Sequence, residues 1–154
     1  MKLLIVGLII CIIIIVVLVC ALGFCYDVLK REYSGKQKVT RNFKLLNWWF
    51  EKKIENEKFI PEYLSQRGYK SVAIYGFGYM GELLYKDMRR FNVAVDYIID
   101  NTAKNTDLKI FTLKDELPKT DAIIVAVSYD YESIEKKIKE KTNVPVVFLE
   151  EMLQ

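Results

Sequence analysis

The chain has 154 residues, 23 basic and 20 acidic side chains for a net charge of +3, three cysteines and no histidine. That length holds one domain with a segment to spare, and the small charge, concentrated in one stretch after the first apolar run, gives no indication of a nucleic-acid partner. Cys11, Cys20 and Cys25 all lie in or beside that apolar run. A disulfide-stapled fold is therefore excluded for the rest of the chain, as is a zinc or haem site built there from the usual ligands.

Residues 3–26 carry no charge and are mostly Leu, Ile and Val. As a helix rising 1.5 Å per residue, such a run crosses a hydrocarbon core of ~30 Å. A cleaved signal peptide has a shorter apolar region, roughly 7–15 residues, followed by small residues at fixed positions. Ala21-Leu22-Gly23-Phe24-Cys25 does not clearly supply them, which favours an uncleaved anchor over residues 1–26. Lys30, Arg31, Lys36, Lys38, Arg41 and Lys44 follow it against Asp27 and Glu32, so the positive-inside rule predicts a cytoplasmic C-terminal domain and a single-pass cell-membrane protein. The same cations suit an anionic lipid surface, and equally suit a topology signal alone.

Residues 27–68 read as a juxtamembrane linker followed by amphipathic helices. Residues 27–42 are polar and contain Ser34-Gly35, as a loosely ordered stretch would. Phe43, Leu46, Trp49 or Phe50, and Ile54 then recur at helical spacing. This stripe faces either its own domain, a partner or the bilayer surface, with packing favoured. Pro61 near a helix start and Gly68 at a helix end frame a short helix.

Residues 69–154 alternate strand and helix signals. Val72 to Tyr75 is a strand, Tyr79 to Phe91 a helix with Met80, Leu84, Met88 and Phe91 on one face, and Val93 to Ile99 a second strand ending at Asp100. Leu108 to Phe111 is a weak third strand; Thr112 to Asp115 resembles an N-cap before a very short helix stopped by Pro118. The uniformly apolar Ala122 to Val127 suits a strand buried on both faces. Asp130 stands where it can cap a helix bearing Tyr131, Ile134 and Ile138, and Pro145 to Leu149 is a fifth strand. The predicted fold class is α/β: one transmembrane helix, then a small parallel sheet flanked by helices.

The strongest motif is the complete G-x-G-x-x-G at Gly76, Gly78 and Gly81, closing the first strand and opening the following helix. The first glycine permits a tight turn, the second lets a pyrophosphate approach the backbone, and the third lets helix and strand pack closely. Free N–H groups and the positive end of the helix dipole then face the phosphate. Asp100, nineteen residues after Gly81 at the next strand end, has the spacing of a ribose-binding acid.

Strand, glycine turn and strand-end acid together resemble the NAD(P)-binding Rossmann superfamily over roughly residues 70–150. The stretches YGFGYMGELLYKDM, VDYIIDN and DAIIVAVS also resemble small Rossmann-like domains of bacterial surface-polysaccharide and nucleotide-sugar proteins. The resemblance implies that the N–H groups of Phe77, Gly78, Tyr79 and Met80 donate to a diphosphate between the glycines. It implies that Asp100 holds the ribose, favouring NAD over NADP, with Asn101 and Thr102 within reach of the same sugar. Ser128, ending the fourth strand, falls by the ligand crevice. The cofactor expected is NAD or NADP, with a nucleotide-sugar as the alternative. Each residue also has a packing role open to it: glycines that seat a helix, a solvated strand-end carboxylate, a serine that starts a helix.

No catalytic residue and no metal ligand is assigned. A dehydrogenase needs a proton donor or acceptor opposite the nicotinamide, and the chain lacks histidine; its one Tyr-x-x-x-Lys pair of the short-chain-dehydrogenase kind, Tyr26 and Lys30, lies beside the membrane segment. Three functional classes follow: a membrane-tethered nucleotide-binding module, an interaction domain that has lost its ligand, and an enzyme completed by a partner chain or homodimer.

Overall fold

The computed structural model describes residues 2–103 and 106–153; the side chains of residues 2–6 and 8–11, Cys11 among them, lie outside the description. The elements are α1 (Lys2–Glu55), α2 (Phe59–Gln66), β1 (Ser71–Tyr75), α3 (Tyr79–Arg90), β2 (Ala94–Ile99), β3 (Ile110–Phe111), β4 (Ala122–Val125), α4 (Tyr131–Lys139), β5 (Val146–Phe148) and α5 (Leu149–Leu153). Contacts divide the chain into two compact units, Met1–Thr40 and Arg41–Gln154.

In the first unit, α1 is long and apolar enough to cross a membrane, and its described apolar side chains from Ile12 to Val19 are exposed. Residues 27–40, expected as part of a loose linker, are helical. Glu32 pairs with Lys36 at 3.3 Å, an i,i+4 pair that supports the helix, while the Ser34 and Thr40 hydroxyls satisfy themselves on the Arg31 and Lys36 carbonyls within it.

The second unit is an α/β body around five parallel strands in the order β3-β2-β1-β4-β5. Period-two alternation sends neighbouring strand residues to opposite faces. Val72, Ile74, Ile98, Ile124 and Val147 meet Leu45 and Trp49 of α1, Phe59, Ile60 and Leu64 of α2, Leu84 and Met88 of α3, and Met152 of α5. Ala73, Tyr97, Ile99, Ile123, Val125 and Phe148 pack against Ile134 and Ile138 of α4. Chain order reverses between β1 and β4, so the crevice of an open parallel sheet falls outside their carboxyl ends.

The end of α1 turns a different side to the sheet from the one its spacing suggests. Leu45 and Trp49 are 3% and 2% exposed, whereas Phe43, Phe50 and Ile54 are exposed. Trp49 meets Phe59 edge to face with ring centroids 5.7 Å apart. Lys53 is ion-paired with the buried Asp87 of α3 and lies 4.8 Å from the Phe91 ring centroid. Two aromatic contacts and a buried charge pair outweigh a longer but shallower apolar stripe.

Residues 112–117 form a turn rather than the expected short helix. The Thr112 N–H and hydroxyl both donate to Asp115, at 2.7 and 2.9 Å, which closes a capping turn with too few residues before Pro118 to propagate. Asp130 precedes α4 without capping it: its backbone is left-handed at φ 57°, and its side chain makes no cap bond.

Candidate functional site

The three motif glycines have three different environments. Gly76 has φ +85°, and a Cβ there would stand 2.5 Å from Val127 Cγ1, so both backbone and space demand glycine. At Gly81 a Cβ would be driven into the Gly76 carbonyl, because α3 rests directly on the turn. Gly78 is extended, at φ −81°, ψ −163°, and a Cβ there would meet nothing within 4 Å. Neither steric contact nor backbone strain requires glycine at that position, though as the N-cap of α3 it favours glycine over larger apolar residues.

Gly78 borders a cavity of about 440 Å³ at the carboxyl edge, lined also by Gly76, Phe77, Tyr79, Met80, Asp100 and Ser128. The first bond of α3 runs from Glu82 N–H to the Gly78 carbonyl at 2.9 Å, so the N–H groups of Tyr79, Met80 and Gly81 precede any helical acceptor. No side chain caps them. The Met80 side chain is part of the core, and Phe77 packs with Tyr85 at 5.9 Å, leaving their backbone atoms as what they offer the cavity.

Asp100 is already engaged by its own chain. Oδ1 accepts from the Thr102 N–H at 2.6 Å, the Thr102 hydroxyl at 3.0 Å and the Ala103 N–H at 2.8 Å, and Oδ2 accepts from the Phe77 N–H at 2.8 Å. Burial pushes this carboxyl up, but the four bonds outweigh it and hold it below the ordinary value of 3.8. Two consequences follow. The Phe77 N–H, expected among the phosphate donors, is spent on Asp100; and only Oδ2, with one bond of the roughly two it accepts, has capacity for an outside hydroxyl.

Ser128 is also turned inward. It is 1% exposed; its hydroxyl donates to Asn42 Oδ1 at 2.6 Å, and its carbonyl accepts from Arg41 at 3.3 Å. Asn42 itself lines the cavity, a contribution from α1 that no local pattern announces. Glu82, in the first turn of α3, adds a second carboxylate to the lining. Asn101 is exposed and lines a neighbouring cavity of about 260 Å³ that shares Gly76, Asp100 and Thr102 with the first and adds Tyr75 and Leu113.

Two phenols near this edge hold their protons more tightly than usual. Tyr75 is pushed up by burial and then by Tyr129, Asp100 and Asp130; Tyr131 is pushed up by burial and by its hydrogen bond to Glu150. No family model matches the chain, and no curated protein or solved structure does either.

Proposed function

We propose that this chain is a membrane-anchored, Rossmann-like module whose cytoplasmic domain binds NAD(P) or a related nucleotide, acting as an accessory or regulatory component of surface-polysaccharide metabolism rather than as an enzyme on its own. The observation that carries the nucleotide reading is Gly78. Between two glycines that packing explains, it is a third that no steric contact or backbone strain demands; it stands at the N-cap of α3, open on the side of the cavity, and borders uncapped helical N–H groups. In this reading the diphosphate lies over Gly76, Gly78 and Gly81, a ribose hydroxyl reaches Asp100 Oδ2, and the cavity of Tyr75, Leu113 and Tyr129 takes the base. The polysaccharide link rests on the likeness of the glycine turn and following strands to domains of that kind, and the cytoplasmic orientation on the basic residues after the anchor. The absence of histidine from the chain and the raised Tyr75 and Tyr131 support a binding rather than a catalytic role.

A second reading, an interaction domain that has lost its ligand, is favoured by one feature: Asp100 occupies the Phe77 N–H while Glu82 adds negative charge where a diphosphate would sit. Thermal unfolding of the full-length chain in detergent, with NAD, NADP, nucleotide-sugars, coenzyme A and S-adenosylmethionine, separates the two. A ligand at a hundred times its Kd adds about 2.7 kcal/mol to the stability of the folded state. A shift with one ligand class is the expected outcome; no shift with any of them selects the interaction domain.

A further inference from the structure

We infer that a separate cavity, walled by α1, the start of α4 and α5, binds a phosphorylated sugar. It measures about 230 Å³. That is below the roughly 300–1,000 Å³ of sites for drug-sized ligands, and it suits a single sugar ring better than a dinucleotide. Arg41, Lys44 and Trp48 advance by three and four residues, so they share one side of α1 and reach the same cavity. Ser128, Tyr131 and Glu150 complete its polar wall, all within the unit Arg41–Gln154. The cavity has only Ser128 in common with the one at the glycine turn, and the inference does not depend on what that cavity binds.

The wall fits each part of such a ligand. Among the described residues neither Arg41 nor Lys44 is ion-paired. Arg41 gives one bond, from Nη1 to the Ser128 carbonyl at 3.3 Å, which leaves most of its guanidinium donors for another acceptor. The Lys44 ammonium adds a second cation. A phosphate monoester brings about −1.5 to −2 of charge at neutral pH and three acceptor oxygens to such a pair. The glycine-turn cavity presents Asp100 and Glu82 and, among the described residues, no lysine or arginine, so an anion is better received here. Glu150 is bonded to the Tyr131 hydroxyl and retains lone pairs for a hydroxyl of the ligand. Trp48 is exposed, and the negative face of its ring attracts the polarised C–H bonds of a sugar. A bare anion uses only the two cations, and a neutral sugar leaves them unanswered.

The test is calorimetric titration of the full-length chain in detergent, with tryptophan emission as a second readout, since Trp49 is buried against Phe59 and Trp48 is open to the ligand. Glucose 6-phosphate is expected to bind saturably, inorganic phosphate several-fold more weakly, and glucose not at all. Lys44→Gln changes an exposed side chain and is expected to weaken glucose 6-phosphate about fivefold. Lys58→Gln, which removes the same charge from an exposed position outside the cavity, is expected to leave the affinity unchanged. Dioctanoyl phosphatidylinositol 4-phosphate presents the same chemistry as a lipid headgroup: binding of it alone, weakened by Lys44→Gln and not by Lys58→Gln, upholds the inference and makes the ligand lipid-borne. Binding of neither compound, equal weakening by the two substitutions, no weakening by Lys44→Gln, or inorganic phosphate bound as tightly as glucose 6-phosphate overturns it.

Discussion

The two loops at the carboxyl edge of the sheet solve opposite problems. The β1–α3 turn is built from glycines and leaves backbone N–H groups facing a cavity; the β4–α4 loop is built from side chains and turns inward, with Ser128 bonded to Asn42 and its carbonyl held by Arg41. Glycine removes side chains from a place where something else has room to sit, whereas a buried serine uses its hydroxyl to fasten one element to another. The first arrangement leaves an open cavity and the second ties two elements together. Within the glycine turn the same division recurs, since steric contact demands glycine at Gly76 and Gly81 but not at Gly78.

Substitutions at these positions sharpen the contrast, and the largest effect belongs to Gly81. Gly81→Ala forces a methyl into the Gly76 carbonyl and lifts α3 from the turn, and is expected to cost about 3 kcal/mol in urea unfolding. At Gly76 the same change meets a left-handed backbone and Val127 Cγ1, and should lower stability by about 2 kcal/mol. A loss below 0.5 kcal/mol at either glycine would break the assignment of both to the fold, since that is roughly the scatter of inert surface changes.

Asp100→Asn removes the charge that holds the Phe77, Thr102 and Ala103 donors, for an expected loss of about 1–2 kcal/mol at neutral pH. Because the folded carboxyl titrates below its ordinary 3.8, the stability it confers is whole above that pH and is lost as pH falls through the lower folded value. The gap between wild type and Asp100→Asn should therefore close in acid; a gap that widened there would contradict the bonding described. Ser128→Ala, which leaves Asn42 without its donor, should cost about 1 kcal/mol by the same unfolding measurement. Gly78→Ala comes last, with an expected loss of about 0.5 kcal/mol, since its Cβ meets nothing and alanine is only a poorer N-cap than glycine.

Much of this edge is legible in the sequence, and the illegible part has a common cause. The run of Val72, Ala73 and Ile74 before Gly76, and the helical spacing of Met80, Leu84 and Met88 after it, announce strand, turn and helix, because each depends on residues within a few positions. Three of the Asp100 bonds are local, to Thr102 and Ala103, but its bond from Phe77 and the Ser128 bond to Asn42 are decided across 23 and 86 positions, and no local pattern carries that information. The burial of Trp49 in place of Phe43 and Phe50 is likewise a choice among apolar residues of one helix that only the position of Phe59 and Asp87 resolves. Thr112 and Asp115 show the converse: a genuine local capping signal that closes a turn with no helix to follow.

The central claim is that Gly78 is a glycine for the sake of a ligand. Its most direct test is a paired measurement on full-length wild type and Gly78→Val: unfolding free energy, and affinity for the nucleotide that stabilises the wild type most. The account predicts a stability loss of no more than about 1 kcal/mol, the scale of a changed N-cap, and an affinity weakened at least about tenfold, or 1.4 kcal/mol. Equal affinity in the two proteins, or no nucleotide that binds the wild type, would contradict it.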